Sequence, residues 1–272
     1  MTDKQNRGMK LILLIIFGLT FLLPFLVMVS GAFINVKTPV GNPFTWLQRY
    51  GVSSANFEYI FKFSKFGTWI KNSLIISVIP TALQMFFAAI LGYIFARKEF
   101  KFKNFIFWMM MSVVMIPTQV LIIPRYLMFS KLGMIDTLTV LILPVIYGIM
   151  GVFLVRQFVQ QIPSSYEESA RIDGASDFKI FGYIILPLCG PVIATVGTFA
   201  FVGAWNDFMT PLIFTTSSEL YPVTVGLSTL LTQDAHFGIQ MAGSLVSFLP
   251  TFLIFLFFQK YFTKGVAFTG IK

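Results

Sequence analysis

The sequence predicts an all-α fold, a polytopic membrane bundle of six transmembrane helices. Composition is the first observation behind this. Of 272 residues, 56% are hydrophobic and 11% are charged, with 33 Phe. A soluble domain carries about 25% charged residues, and a soluble core of this length could not hide so much apolar surface. The second observation is that apolar blocks run end to end with no polar domain between them, so residues 1–272 read as a single transmembrane domain. The third is that the basic residues flank those blocks, as the positive-inside rule expects.

Taken in order, the first block runs from Leu11 to Ile34 behind Lys4, Arg7 and Lys10. It exceeds a signal h-region of about 7–15 residues and reaches the roughly 20 needed to cross a hydrocarbon core, which predicts a retained first helix. Segment 35–68 is aromatic, with Trp46, Tyr50, Phe57, Tyr59, Phe61 and Phe66. Such residues favour the membrane interface, so a partly ordered segment on the outer surface is expected. The remaining spans are 69–96, 104–126, 136–158, 184–214 and 241–262. Backbone groups in lipid must be satisfied within the segment, which favours helices, and the strict alternation of barrel strands is missing. In the second span Ala88, Gly92 and Ala96 form a small-residue stripe that permits close helix packing. Pro80, Pro117, Pro144, Pro191, Pro211 and Pro250 interrupt the later spans and tend to kink helices.

Seven of the 20 Lys and Arg fall in outer loops (Lys37, Arg49, Lys62, Lys65, Lys71, Arg125 and Lys131) and the other 13 on the inner side. Both termini are therefore expected in the cytoplasm. The net charge of +9 is accounted for by this flanking pattern, with membrane lipid as the expected neighbour and no nucleic acid. The single cysteine, Cys189, lies in an apolar stretch, so neither an intramolecular disulfide nor a cysteine metal cluster is expected. The one histidine, His236, has no partner nearby in sequence. No metal site is predicted.

The informative stretch is 163–183, between the fourth and fifth spans. It reads as helix, break, helix. Ser164 or Ser165 can cap a short helix, with Glu167 or Glu168 completing a capping box. Both glutamates stand at helical spacing from Arg171. Gly174 is placed to end that helix in the left-handed conformation, and Ser176 or Asp177 can cap a second segment that leads into the membrane. Ser169 and Ala170 keep one face low, open to close approach by another surface. The reading is of an ordered helix that presses on nothing in its own chain, against the plainer one of a solvated connector.

These residues carry a resemblance. Glu168-Ser169-Ala170, then Gly174, then Ile184-Ile185-Leu186-Pro187 match the signature of ABC importer permeases: Glu-Ala-Ala, three residues, Gly, nine residues, Ile-x-Leu-Pro. Both spacings are met, and the one departure is Ser169 for Ala. Asn72-Ser73 and Tyr93 with Ala96-Arg97 resemble the second helix of the same family, and Ile172-Asp173-Gly174-Ala175, Trp205-Asn206-Asp207-Phe208, Pro211-Leu212 and the ending Lys264-Gly265 to Gly270-Ile271-Lys272 resemble its carbohydrate-uptake branch, in particular the six-helix permease of maltose-type and multiple-sugar systems. The resemblance implies the MetI-like permease fold and import of a sugar, in that branch an oligosaccharide. It further implies a heterodimer with a second permease subunit, two ATP-binding-cassette ATPase subunits and an extracellular sugar-binding protein. By the same resemblance Glu167, Glu168, Ser169, Ala170, Arg171, Asp173, Gly174 and Ala175 couple to the ATPase, and the tail with Gly265, Gly270 and Lys272 reaches it as well.

The chain holds no phosphate-binding Gly-x-x-x-x-Gly-Lys-[Ser/Thr] loop, so no enzyme activity and no cofactor of its own are expected, with ATP and Mg in the partner subunits. Polar side chains within or beside the spans, Thr81, Gln84, Thr118, Gln119 and Asn206, are candidates for a substrate path, against a simpler role in interhelical hydrogen bonding. An ion-coupled secondary transporter is the alternative. It would need an ionisable group deep in the membrane, and Asp207 is the one candidate. Counted along a straight helix at 1.5 Å per residue, it falls about 30 Å past Pro187, at the outer boundary.

Overall fold

A computed structural model of the chain describes residues 3–62, 64–233 and 236–268, and among them every regular element is helical. In order these are α1 (Asp3–Ala32), α2 (Trp46–Tyr50), α3 (Ala55–Lys62), α4 (Phe66–Arg97), α5 (Lys103–Val114), α6 (Ile122–Lys131), α7 (Leu138–Ile142), α8 (Ile149–Gln160), α9 (Ser165–Ile172), α10 (Asp177–Lys179), α11 (Leu186–Leu188), α12 (Gly190–Trp205), α13 (Met209–Phe214), α14 (Val223–Gln233) and α15 (Phe237–Phe268). Among the described residues, four stretches are long and apolar enough to cross a membrane: Lys10–Ala32, Phe66–Arg97, Leu138–Gln160 and Phe237–Tyr261. Two bent pairs bring the number to six when each is taken as one span.

Two of the predicted spans are bent. Segment 104–126 turns by 88° between Val114 and Thr118. Pro117 has no N–H and disfavours helical geometry at Ile116, so α5 stops and the chain restarts in a new direction. Segment 184–214 is three pieces. Asp177–Leu188 meets Gly190–Trp205 at 72°, and α13 comes separately after them. Before the bend, Ile180–Ile185 forms a widened π turn, which relieves the clash between the Pro187 ring and the preceding turn. Distances counted along a straight helix from Pro187 to Asp207 therefore do not hold.

The chain divides into two compact units. In the first, formed by segments up to Gly67 and from Gly226 to Leu249, α1 is apolar on all sides. Leu14 is 70% exposed and Phe17 65% exposed, the pattern of a helix that lipid or another protein must cover. Segment 35–68 is tied down. The buried Asn56 amide donates to the carbonyls of Ala32 (2.9 Å) and Ile34 (2.7 Å), Trp46 meets the edge of Phe237, and a Cβ on Gly238 would lie 2.3 Å from the Ile34 carbonyl oxygen.

The second unit, Thr68–Val225 with the chain from Pro250 onward, has its core where α4, α8, the π turn and α12 converge. Ala88, Tyr93, Val155, Val159, Ile180, Ile185, Cys189 and Val196 are buried together there. The predicted small-residue stripe does what its spacing implies: a Cβ on Gly92 would stand 2.6 Å from Val155.

Candidate functional site

The loop after α8 forms the short helix α9, and Gly174 ends it with φ +77°. The Ala175 amide donates to the Ala170 carbonyl (2.9 Å) and the Gly174 amide to that of Arg171 (3.0 Å), a left-handed helix stop. At the other end the expected capping box is not closed. Ser164 holds the N-cap position in helical geometry, its side chain makes no capping bond, and the amides of Glu167 and Glu168 donate to its carbonyl.

The predicted pairing of Glu167 with Arg171 is also corrected. Glu167 points into the protein, 5% exposed, where a carboxylate requires charged or hydrogen-bonding partners. α4 supplies them: Arg97 Nε donates at 2.7 Å and the Tyr93 hydroxyl at 3.3 Å. A terminal guanidinium nitrogen of Arg97 also donates to the Ile162 carbonyl. Arg171 faces solvent and donates to Asp177 at 3.4 Å. Asp177 in turn meets Lys98 Nζ at 2.6 Å. Ala170 and Ala175 pack against the core cluster. The helix therefore does press on its own chain, through one face.

Its other face stays open. Glu168, Ser169, Arg171, Asp173 and Gly174 are exposed. With them stand large apolar side chains that sequence reasoning passed over: Ile172 is 86% exposed, Phe178 89% and Tyr183 82%. The signal that could have found them is an apolar residue set among charged ones in a polar loop. Of the predicted tail residues, Gly265 falls within α15, while Gly270 and Lys272 lie outside the described residues.

Further along α4 a cavity of about 410 Å³ opens. Gln84, Thr118, Tyr147, Gly148, Phe199 and Asp207 are among the residues that line it. Gln84 donates to the Val145 carbonyl at 2.7 Å. Gly148 adopts φ +46° against it, and a Cβ there would come within 2.8 Å of Gln84 Cγ. So the cavity takes Gln84 and Thr118 from the predicted set. Thr81 has a buried hydroxyl with no partner among the described residues, Gln119 meets Thr118, and Asn206 is exposed and bonds back to Val202. Asp207, which straight-helix counting puts at the outer boundary, is a wall residue. Its carboxylate accepts from the Thr210 amide at 3.2 Å.

The start of α4 holds a strap of chain at residues 216–223. Trp69 Nε1 donates to the Ser218 carbonyl (2.8 Å), and the Asn72 amide to those of Glu219 (2.7 Å) and Tyr221 (3.1 Å). The Ser73 hydroxyl accepts from the Val223 amide (2.8 Å). Asp136, in left-handed geometry at φ +61°, accepts from the amides of Thr216 (2.8 Å) and Ser217 (2.9 Å) and from the Ser217 hydroxyl. The hydroxyl bond and these amides hold its carboxyl down at about 2. Asn72-Ser73 thus has a physical role that the sequence left unstated.

Comparison with known proteins agrees with this architecture. Residues 88–268 match the family described as binding-protein-dependent transport system inner membrane component. The chain is 36% identical over 219 residues to the arabinooligosaccharides transport system permease protein AraQ of Halalkalibacterium halodurans, covering 80% of this chain and 78% of that one. It is 28% identical over 278 residues to the melibiose/raffinose/stachyose import permease protein MelC of Bacillus subtilis, with 100% of both chains covered. Among solved structures it resembles a chain from a bacterial ABC transporter involved in the import of the acidic polysaccharide alginate, with TM-score 0.82, 20% identity, and 96% and 97% of the two chains covered. With the Glu-Ser-Ala helix, its glycine stop and the Ile-x-Leu-Pro turn all in place, the chain belongs to the family of binding-protein-dependent transport system inner membrane components, the membrane-integral permeases of ABC importers.

Proposed function

We propose that this permease takes up an oligosaccharide handed to it by an external binding protein. It works in a heterodimer with a second permease and with two ATPase subunits that supply ATP and Mg. The observation that carries the reading is the open face of α9: Glu168, Ser169, Arg171 and Ile172 are presented outward by a helix whose inner face is fixed. That is a surface built for a partner, and here the partner is the ATPase. Glu168, Ser169, Arg171, Asp173 and Gly174 form the contact, Ala170 and Ala175 seat the helix, and the tail with Gly265, Gly270 and Lys272 adds a second contact. Both termini and residues 160–180 lie on the cytoplasmic face.

The relatives named for arabinooligosaccharides and for melibiose, raffinose and stachyose support an oligosaccharide cargo. The cavity supports a neutral one. Among the described residues its lining holds one carboxylate, Asp207, and no Lys or Arg, so the wall offers a uronate no cation of its own to pair with. Gln84, Thr118 and Asp207 are the polar groups it offers.

The test is uptake in vesicles holding this permease with the second permease, the ATPase and the binding protein, with ATP inside. Labelled neutral oligosaccharides are expected to enter only with ATP and binding protein. Uptake by this chain alone, driven by a proton gradient, would end the importer reading.

A further inference from the structure

The residues that fix the proposed docking segment all lie at one end of α4. We infer that Arg97 and Lys98 are positioning residues that lock this segment to α4, so that α4 delivers its displacement to the cavity wall and to the strap. This rests on the reading of α9 as the ATPase-docking helix.

Three observations carry the inference. First, the Glu167 carboxylate is buried, and both its oxygens are taken from α4: one by Arg97 Nε, the other by the Tyr93 hydroxyl. Arg97 also holds the Ile162 carbonyl, just ahead of α9. A partner cannot reach a carboxylate so enclosed, so Glu167 is an internal key and not a docking residue. Second, the segment beyond the Gly174 break is held separately, by Lys98 to Asp177 at 2.6 Å. Arg97, the last residue of α4, and Lys98, the residue after it, thus grip the loop on both sides of its glycine joint. Ala170, Ala175 and Ala96 pack against one buried cluster, which includes Tyr93, so the loop and the end of α4 form one packed block.

Third, α4 is a single uninterrupted helix from Phe66 to Arg97. At 1.5 Å per residue Gln84 stands about 20 Å and Asn72 about 38 Å from Arg97. Gln84 is wedged against Gly148 in the cavity wall, and Asn72 and Ser73 hold the strap. A helix keyed at all three levels moves them together. Packed elements of this kind shift as rigid bodies between discrete arrangements.

The experiment uses the complete reconstituted importer, with ATP hydrolysis and sugar uptake measured in the same vesicles. The variants are Arg97→Gln, Lys98→Gln, Glu167→Gln and the exchanged pair Arg97→Glu with Glu167→Arg. The single variants are expected to keep the ATPase subunit co-purified and hydrolysing. Sugar moved per ATP should fall roughly tenfold, the usual scale of a lost coupling between sites. Partial recovery of that ratio in the exchanged pair is the expected signature of a key. A purely structural role would lower protein level and leave the ratio alone. An unchanged ratio in both Arg97→Gln and Lys98→Gln overturns the inference. So does loss of the ATPase from the Glu167→Gln complex, which would make Glu167 a docking residue. If Arg97→Gln fails to reach the membrane, Lys98→Gln decides alone, since its pair lies nearer the surface. Absence of ATP-driven uptake in the unmodified importer is a different failure, that of the proposed function itself.

Discussion

Gly174 allows strain to be separated from steric clash. Its φ is +77°, and a Cβ built there meets nothing within 4 Å. Within this chain a side chain at this position therefore pays only for the backbone conformation. For an L-residue in the left-handed region that cost is about 1–2 kcal/mol, higher for a β-branched one, within the roughly 1–3 kcal/mol range of strained backbone positions. Because 1.4 kcal/mol is a factor of about ten, Gly174→Val should deplete the native stop of α9 by roughly tenfold to a hundredfold. Asn adopts this geometry readily, so Gly174→Asn should fall close to the parent and Gly174→Ala between the two. The strain is local and lies outside the long apolar helices, so all three variants should reach the membrane equally. The assay is sugar uptake and co-purification of the ATPase subunit at matched membrane levels. Ranking Asn above Ala above Val is the expected result. If Val matches Asn in both readouts, backbone geometry at this stop does not govern coupling and the reasoning fails.

Other expectations rest on the same geometry. Glu168→Lys reverses a charge on the open face of α9 without touching the Arg97–Glu167 pair, so it should release the ATPase from the complex while the chain stays at full level in the membrane; retention of the ATPase would remove Glu168 from the docking surface. Asn72→Leu removes the amide that donates to the carbonyls of Glu219 and Tyr221, a loss of about 0.5–1.5 kcal/mol per bond, and should raise hydrogen exchange across 216–223 while leaving α9 as protected as before. The Asp136 carboxyl sits at about 2 in place of 3.8. Because its folded value is depressed, its hold on the strap is complete above the unfolded value and is lost as pH falls toward 2. Pepsin cleavage within 216–223, relative to a site in the first unit, should therefore climb between pH 4 and pH 2, and Asp136→Asn should be cut readily throughout that range. Finally, with Cys189 replaced, a cysteine at Ser218 should react with an impermeant thiol reagent in intact cells and one at Ser165 should not; the opposite pattern would invert the proposed topology.

The sequence showed the six apolar blocks, the short helix of the loop and its glycine stop, because each rests on local chemistry: hydropathy over about 20 residues, or one glycine needing positive φ. It did not show the two bends. Pro117 and Pro187 permit a turn, but the angle depends on what packs behind them, and Pro80 sits inside an unbroken α4. It also misassigned the partner of Glu167. Spacing favoured Arg171, four residues away, whereas burial chose Arg97, 70 residues away. Helical spacing puts Glu167 and Arg171 on neighbouring positions, but the Glu167 side chain turns inward to Arg97 while that of Arg171 turns to solvent and Asp177. For Asp207 the straight ruler fails as a measure of depth, because it was laid along a segment that bends by 72°. The exposed Ile172 and Phe178 were legible in principle, since nothing in a solvated loop calls for them.

The elbow between Leu188 and Gly190 has a practical consequence. The one thiol of the protein, Cys189, sits at its apex and is 2% exposed in the bent form. An alkylating reagent cannot reach sulfur packed this tightly, so any labelling of the unmodified chain must come from moments when the elbow straightens or its cover lifts. The labelling rate is then a clock for that opening, readable in a working transporter without introducing a foreign probe. Run beside sugar and ATP, it would tell whether the two arms of the fifth span flex once per turnover or travel as a fixed angle.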